Sequence, residues 1–229
     1  MNGLRKSLFS DVLMVAVIFL VCGTADARRG EPPRSESSRV AATTQVQLLK
    51  LEAVDREALL AEDKTRMEPG PMRFALPEDV SITPADHGTW EDLADGGRLW
   101  RLQIHAPNAT DLSFGFLKYR LPPGATLHIV SGEYDYYQGP YTADDNKAHG
   151  EFWSPLVPGD RAVLELYVPA TPQFEPELEL GRIGRGYRDL FRRGDDAEKR
   201  GSCNINVVCT EGDDWRDQIG SVGRYTIDS

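Results

Sequence analysis

Strict alternation of apolar and polar residues through the middle of the chain constrains the fold more than any other feature. In Trp100-Arg101-Leu102-Gln103-Ile104-His105-Ala106 every second side chain is apolar. A β-strand points successive side chains to opposite faces, so such a run can bury one face and wet the other. The pattern returns at Ala162, Leu164, Leu166 and Val168, set against Arg161, Glu165 and Tyr167. Leu112, Phe114 and Phe116 give way to Leu117, Tyr119 and Leu121, a change of phase that predicts a bulge or a strand buried on both faces. Turn signals punctuate these runs at Pro107-Asn108, Pro122-Pro123-Gly124, Ser131-Gly132 and Pro158-Gly159-Asp160. Short strands separated in this way predict a mainly β fold, a sandwich or jelly roll, between about residues 72 and 183.

Ahead of the strands, Leu48, Leu51, Val54, Ala58 and Ala61 recur at spacings of three and four. This stripe predicts one helix over about residues 44–63, closed by Pro69-Gly70-Pro71. Helix and sandwich together form the domain expected at residues 43–183. Residues 28–42, rich in Arg, Ser and Pro, are expected to be an unstructured linker. The N-terminus has the build of a secretory signal: Arg5-Lys6, an apolar run from Val12 to Cys22, then Ala25 and Ala27 at an A-x-A site. Cleavage after Ala27 is expected. The apolar run is too short to span a bilayer core of about 30 Å, so no membrane attachment is expected once the signal is removed, and the product is extracellular or periplasmic.

A formal charge of −10 argues against a nucleic-acid partner, which a basic face would have to neutralise. Residues 181–200 are the exception, Gly-rich and crowded with basic side chains, and read as an exposed linker (184–200) open to proteolysis. After signal removal the cysteines are Cys203 and Cys209, and export permits disulfides. The simplest pairing joins the two in a small local loop.

Candidate chemistry is sparse. His87, His105, His128 and His149 lack Ser and Asp partners in any recognisable pattern, His105 and His128 fall on polar strand faces, and no G-x-S-x-G elbow is present. Asp144-Asp145-Asn146 with Glu133 and Asp135 offers hard oxygen ligands for calcium, but such residues also fill solvated turns. No cofactor or metal is expected. Tyr134, Tyr136, Tyr137, Tyr141 and Trp153 could stack on sugar rings or pack the sandwich.

The end of the chain carries a family resemblance. Gly201-Ser202-Cys203-Asn204-Ile205, Val207-Val208-Cys209, Glu211-Gly212-Asp213, Arg216-Asp217, Ile219 and Val222-Gly223 resemble the start of a mature lysyl endopeptidase, a secreted bacterial serine protease of the trypsin fold. The phrasing Trp100-Arg101-Leu102, Ala106-Pro107-Asn108-Ala109 and Leu121-Pro122-Pro123-Gly124-Ala125-Thr126-Leu127 resembles, more loosely, the propeptide sandwich of such enzymes. The resemblance implies that residues 201–229 begin a truncated trypsin-like β-barrel whose catalytic His, Asp and Ser come later. It implies that Cys203 and Cys209 pair with partners further along. Processing is expected after Lys199 or Arg200, which directly precede the motif at the end of the charged, Gly-rich stretch. The propeptide would aid folding of its own protease domain and inhibit it, the intact enzyme would act on protein substrates, and this chain would not be catalytic by itself. By themselves, residues 201–229 supply a strand or two with no sheet to join. The alternative from a different class is a secreted β-sandwich module binding carbohydrate or protein.

Overall fold

In the computed structural model, which describes residues 30–66, 72–133 and 136–190, the alternating runs become strands of two sheets packed face to face. The strands in chain order are β1 (Leu48–Lys50), β2 (Ala75–Ile82), β3 (Thr89–Asp92), β4 (Arg98–His105), β5 (Asp111–Arg120), β6 (Thr126–Ser131), β7 (Tyr137–Tyr141), β8 (Phe152–Trp153), β9 (Val157–Pro158), β10 (Arg161–Val168) and β11 (Glu177–Gly186). The first sheet runs β1-β4-β10-β6-β7, with β3 also on β4; the second runs β2-β11-β5-β8, with β9 also on β5. Trp100, Leu102, Ile104, Leu127, Ile129, Leu164 and Leu166 of the first sheet meet Leu112, Phe114, Phe116, Leu178, Leu180 and Ile183 of the second in one buried core. Fully burying side chains of this size contributes about 1.5–3 kcal/mol each.

The phase change in β5 is a bulge. Lys118 pairs with Glu179 and Phe116 with Leu180, so Leu117 has no partner across the ladder. Gly181 is likewise skipped in β11. The extra residue leaves Leu117 and Lys118 both facing outward and returns Tyr119 to the core. The turns fall where the sequence places them. Asn108, Gly124 and Gly159 take positive φ at 66°, 83° and 99°, a backbone that Gly and Asn adopt at little cost.

The helix is shorter and differently faced than the stripe predicts. Leu48–Lys50 is a strand, parallel to β4 and edging it, and Leu51 and Val54 donate backbone hydrogen bonds to the carbonyls of His105 and Pro107. Only Arg56–Thr65 is helical (α2), started by Asp55, whose carboxylate accepts from the Ala58 amide. Its half-buried face is Leu59, Leu60 and Asp63, while Ala58 and Ala61 are exposed. Leu51 and Val54 are buried by sheet-edge pairing, a long-range contact that imitates helical spacing over a short window.

Residues 30–47 lie across the outer face of the first sheet, where an unstructured linker is expected up to residue 42. They include one short helix, α1 (Arg34–Ser37). The Ser35 amide donates to Glu165 Oε1 at 3.1 Å, and the Ala41 amide to Glu91 Oε2 at 2.6 Å. Arg101 donates to the Ala41 carbonyl at 2.7 Å and to Glu91, and Gln103 donates to the Thr43 and Val46 carbonyls. The polar side of β4 is therefore buried rather than wetted, with Leu99 and Arg101 at 0% and 2% exposure. β11 also continues past the expected boundary at residue 183, and Tyr187 is fully buried.

Candidate functional site at the exit of the sandwich

The last described residues leave the sandwich through a polar clamp built on Asp63. The clamp forms because α2 presents Asp63 toward the end of β11, on the same half-buried face as Leu59 and Leu60. Its Oδ2 accepts from Tyr187 Oη at 2.7 Å and from Arg188 Nη2 at 2.6 Å, and its Oδ1 from Arg73 Nε at 3.1 Å. Arg73 also pairs with Glu62 at 3.1 Å, and Arg188 Nε donates to the Arg73 carbonyl at 2.8 Å. Bonds to the backbone complete the anchor: the Tyr187 amide donates to the Phe74 carbonyl, and the Arg56 side chain donates through Nε to the Tyr187 carbonyl. Burial alone would raise the Asp63 pKa, but the hydrogen bonds from Tyr187, Arg188 and Arg73 outweigh it and hold the carboxyl below the usual range. Burial and the Asp63 carboxylate push the Tyr187 hydroxyl up. All the groups are committed to one another, so the arrangement holds a chain and has no spare nucleophile or base.

Beside the clamp, Asp111 at the start of β5 is 1% exposed. Thr110 Oγ1 donates to its Oδ2 at 2.8 Å, while Oδ1 has no hydrogen-bond donor among the described residues. Burial, helped by the negative charge of Asp189 on the outgoing chain, raises its pKa to about 6.

The histidines do not converge. His128 is buried beneath residues 30–37, bonded through Nε2 to the Glu31 carbonyl at 2.9 Å, and burial lowers its pKa despite the nearby Glu165 and Glu31. His105 lies 3.4 Å from Asp160, His87 pairs with Asp86, and His149 accepts from the Glu151 amide. Asp145 and Asn146 cap turns: Asp145 accepts from the Thr142 amide and Asn146 bonds both backbone groups of Leu121. Among the described residues no three His, Cys, Asp or Glu side chains are grouped to hold a metal ion. The aromatic platform disperses as well. Tyr137 faces residue 30 on the outer side of the first sheet, Tyr141 packs on Phe152 at the core, and Trp153 lies on the second sheet. A stacking surface for a sugar needs rings side by side, and Tyr137, Tyr141 and Trp153 do not share one; Tyr134 lies outside the described residues.

Over residues 41–177, more than half of the chain, the sequence matches the family model described as the lysyl endopeptidase N-terminal domain. The chain belongs to this family. It is also 26% identical over 145 residues to a protein named lysyl endopeptidase from Pseudomonas aeruginosa, the aligned stretch covering 60% of this chain. The chain spans 30% of that relative's length. The matched residues hold β1 to β10 of the mainly β sandwich. Asp63 and Arg73 of the clamp lie within them, and Tyr187 and Arg188 lie just beyond, where the chain passes toward the Gly201–Gly223 motif. Ala27, Lys199, Arg200, Cys203 and Cys209 lie outside the described residues. The clamp has no sequence signature, because the pairing of β2 with β11 brings Arg73 to Tyr187 and the packing of α2 adds Asp63.

Proposed function

We propose that this chain is the N-terminal part of a secreted Lys- or Arg-directed serine endopeptidase precursor, in which residues 43–188 act as a folding aid and inhibitor of the protease domain that begins near Gly201. The observation that carries the reading is the family match across the sandwich itself, joined to the Gly201–Gly223 motif downstream of it. A β-barrel of high contact order folds slowly because distant strands must meet first, so a preformed sandwich can act as a template. The clamp supports this role by fixing the end of β11, so that pulling or cleaving the following linker does not unravel the core. In this reading the signal is removed after Ala27, residues 189–200 are the processing linker, cleavage falls after Lys199 or Arg200, and Cys203 and Cys209 form disulfides with cysteines of the protease domain.

The test is to dilute denatured lysyl endopeptidase of Pseudomonas aeruginosa into buffer with and without the purified chain from Arg28 to Ser229. The chain is expected to raise the yield of active enzyme and to slow hydrolysis of a lysine ester. Equal yields and equal rates would sink the reading. N-terminal sequencing of enzyme matured from this precursor joined to its protease domain is expected to begin at Arg200 or Gly201.

A further inference from the structure

The two outer faces of the sandwich are treated differently. Residues 30–47 cover that of the first sheet and bury Leu99, Arg101, His128 and Glu165 beneath them. On the second sheet no described segment covers Leu117 or Trp153, which are 49% and 43% exposed. Leu117 faces outward at the bulge, and Trp153 of β8 pairs with Gly115, two residues before Leu117 on β5. Each side chain lies flat over a glycine of the neighbouring strand, Leu117 over Gly181 and Trp153 over Gly115, and a Cβ at either glycine would collide with it. The result is a shallow apolar patch with a polar rim that includes the Arg182–Asp79 and Lys118–Glu179 pairs. Adjacent exposed apolar side chains inside a polar rim have the make-up of a small contact site.

We infer that this patch is the docking surface for the protease-like segment that begins at Gly201. The inference rests on the precursor reading above and adds the face by which the two parts meet. Chain geometry selects this occupant. Gly181 lies in β11 itself, five residues before the strand ends at Gly186, roughly 17 Å along it. The chain leaves at Arg188, and residues 189–200 extend to roughly 40 Å, enough to bring Gly201 back over the sheet. Ile205, Val207, Val208 and Trp215 supply apolar side chains to meet the patch. Tethering makes the encounter intramolecular, which favours this segment over a second copy of the chain.

The experiment uses the chain from Arg28 to Ser229. A nitroxide attached at Cys203 and Cys209 is expected to broaden the resonances of the Trp153 indole and the Leu117 methyl groups, and to leave those of Tyr137 on the opposite sheet sharp. Amide exchange across residues 201–229 is expected to be at least about tenfold slower than in the free peptide of the same sequence, and to speed up to the peptide's rate in the Leu117→Lys/Trp153→Ser variant. Unbroadened Trp153 and Leu117 signals, or exchange unaffected by the substitutions in a folded variant, would overturn the docking. So would broadening seen only at concentrations where sedimentation shows a dimer, since the occupant is then a second copy. These readouts do not involve an enzyme, so a failed refolding assay with intact docking counts against the precursor function alone.

Discussion

The buried carboxyl of Asp111 is packed directly against the Cα of Gly186, so that any β-carbon at position 186 would occupy the space of the carboxyl group. The contact joins the first residue of β5 to the last residue of β11, and the Thr110 amide donates to the Gly186 carbonyl at 2.9 Å beside it. It therefore sits where the chain turns out of the sandwich into the Asp63 clamp.

Replacing Gly186 with Ala is expected to destabilise the domain by about 2 kcal/mol, within the range for overpacking a well-filled site. The carboxyl it meets is enclosed and cannot swing into solvent, so the backbone must shift. Urea unfolding followed by tryptophan fluorescence measures the change, and a midpoint equal to wild type would contradict the packing.

Asp111 also sets a pH dependence. Its folded pKa of about 6 exceeds the unfolded value of about 3.9, so the native state binds the proton more tightly. The resulting stability is full below the unfolded pKa and is lost as pH rises toward and through 6, by at most about 3 kcal/mol. Asp111→Asn cannot ionise and is expected to gain on wild type progressively between pH 4 and pH 7 in parallel urea titrations. A difference independent of pH would show that the carboxyl is not held neutral.

Asp63→Ala is expected to cost about 1–2 kcal/mol, a partly solvated carboxylate with three donors being worth less than a buried one. Its folded pKa is depressed, so the stabilisation is present above the unfolded carboxyl value and is lost as pH falls through the folded one. The variant should also be cut faster by trypsin at Arg188, because that guanidinium loses the carboxylate holding it. Unchanged cleavage at Arg188 would mean that the clamp does not guard the exit.

Removing Glu91 leaves Arg101 buried, with the Ala41 carbonyl as its remaining described hydrogen-bond acceptor. Glu91→Ala is expected to destabilise by about 3 kcal/mol, the usual cost of a buried charge deprived of its partner. Adding Arg101→Met should recover much of the loss, because the uncompensated charge is then gone. A double variant no more stable than Glu91→Ala would show that the pair acts through the shape of residues 30–47 rather than through charge.

Local order along the sequence determined the strands of this protein, their inward faces, its turns and the bulge at Leu117. Period-two alternation and the demand of Gly and Asn for positive φ are properties of neighbouring residues. The motif from Gly201 to Gly223 and the phrasing around Trp100 and Leu121 pointed to the family in the same way. Tertiary structure decided what lies on the outer faces. Residues 30–42 have the composition of a linker and are held in place by Glu165, Glu91 and Arg101, side chains far along the chain whose apolar neighbours make an unpaired charge costly. Leu51 and Val54 carry helical spacing and are buried at a sheet edge instead, since pairing with β4 satisfies their backbone and a lone helical turn would not. The Asp63 clamp follows the same rule: a carboxylate, two arginines and a tyrosine acquire a joint role only when strand pairing brings them within hydrogen-bonding distance.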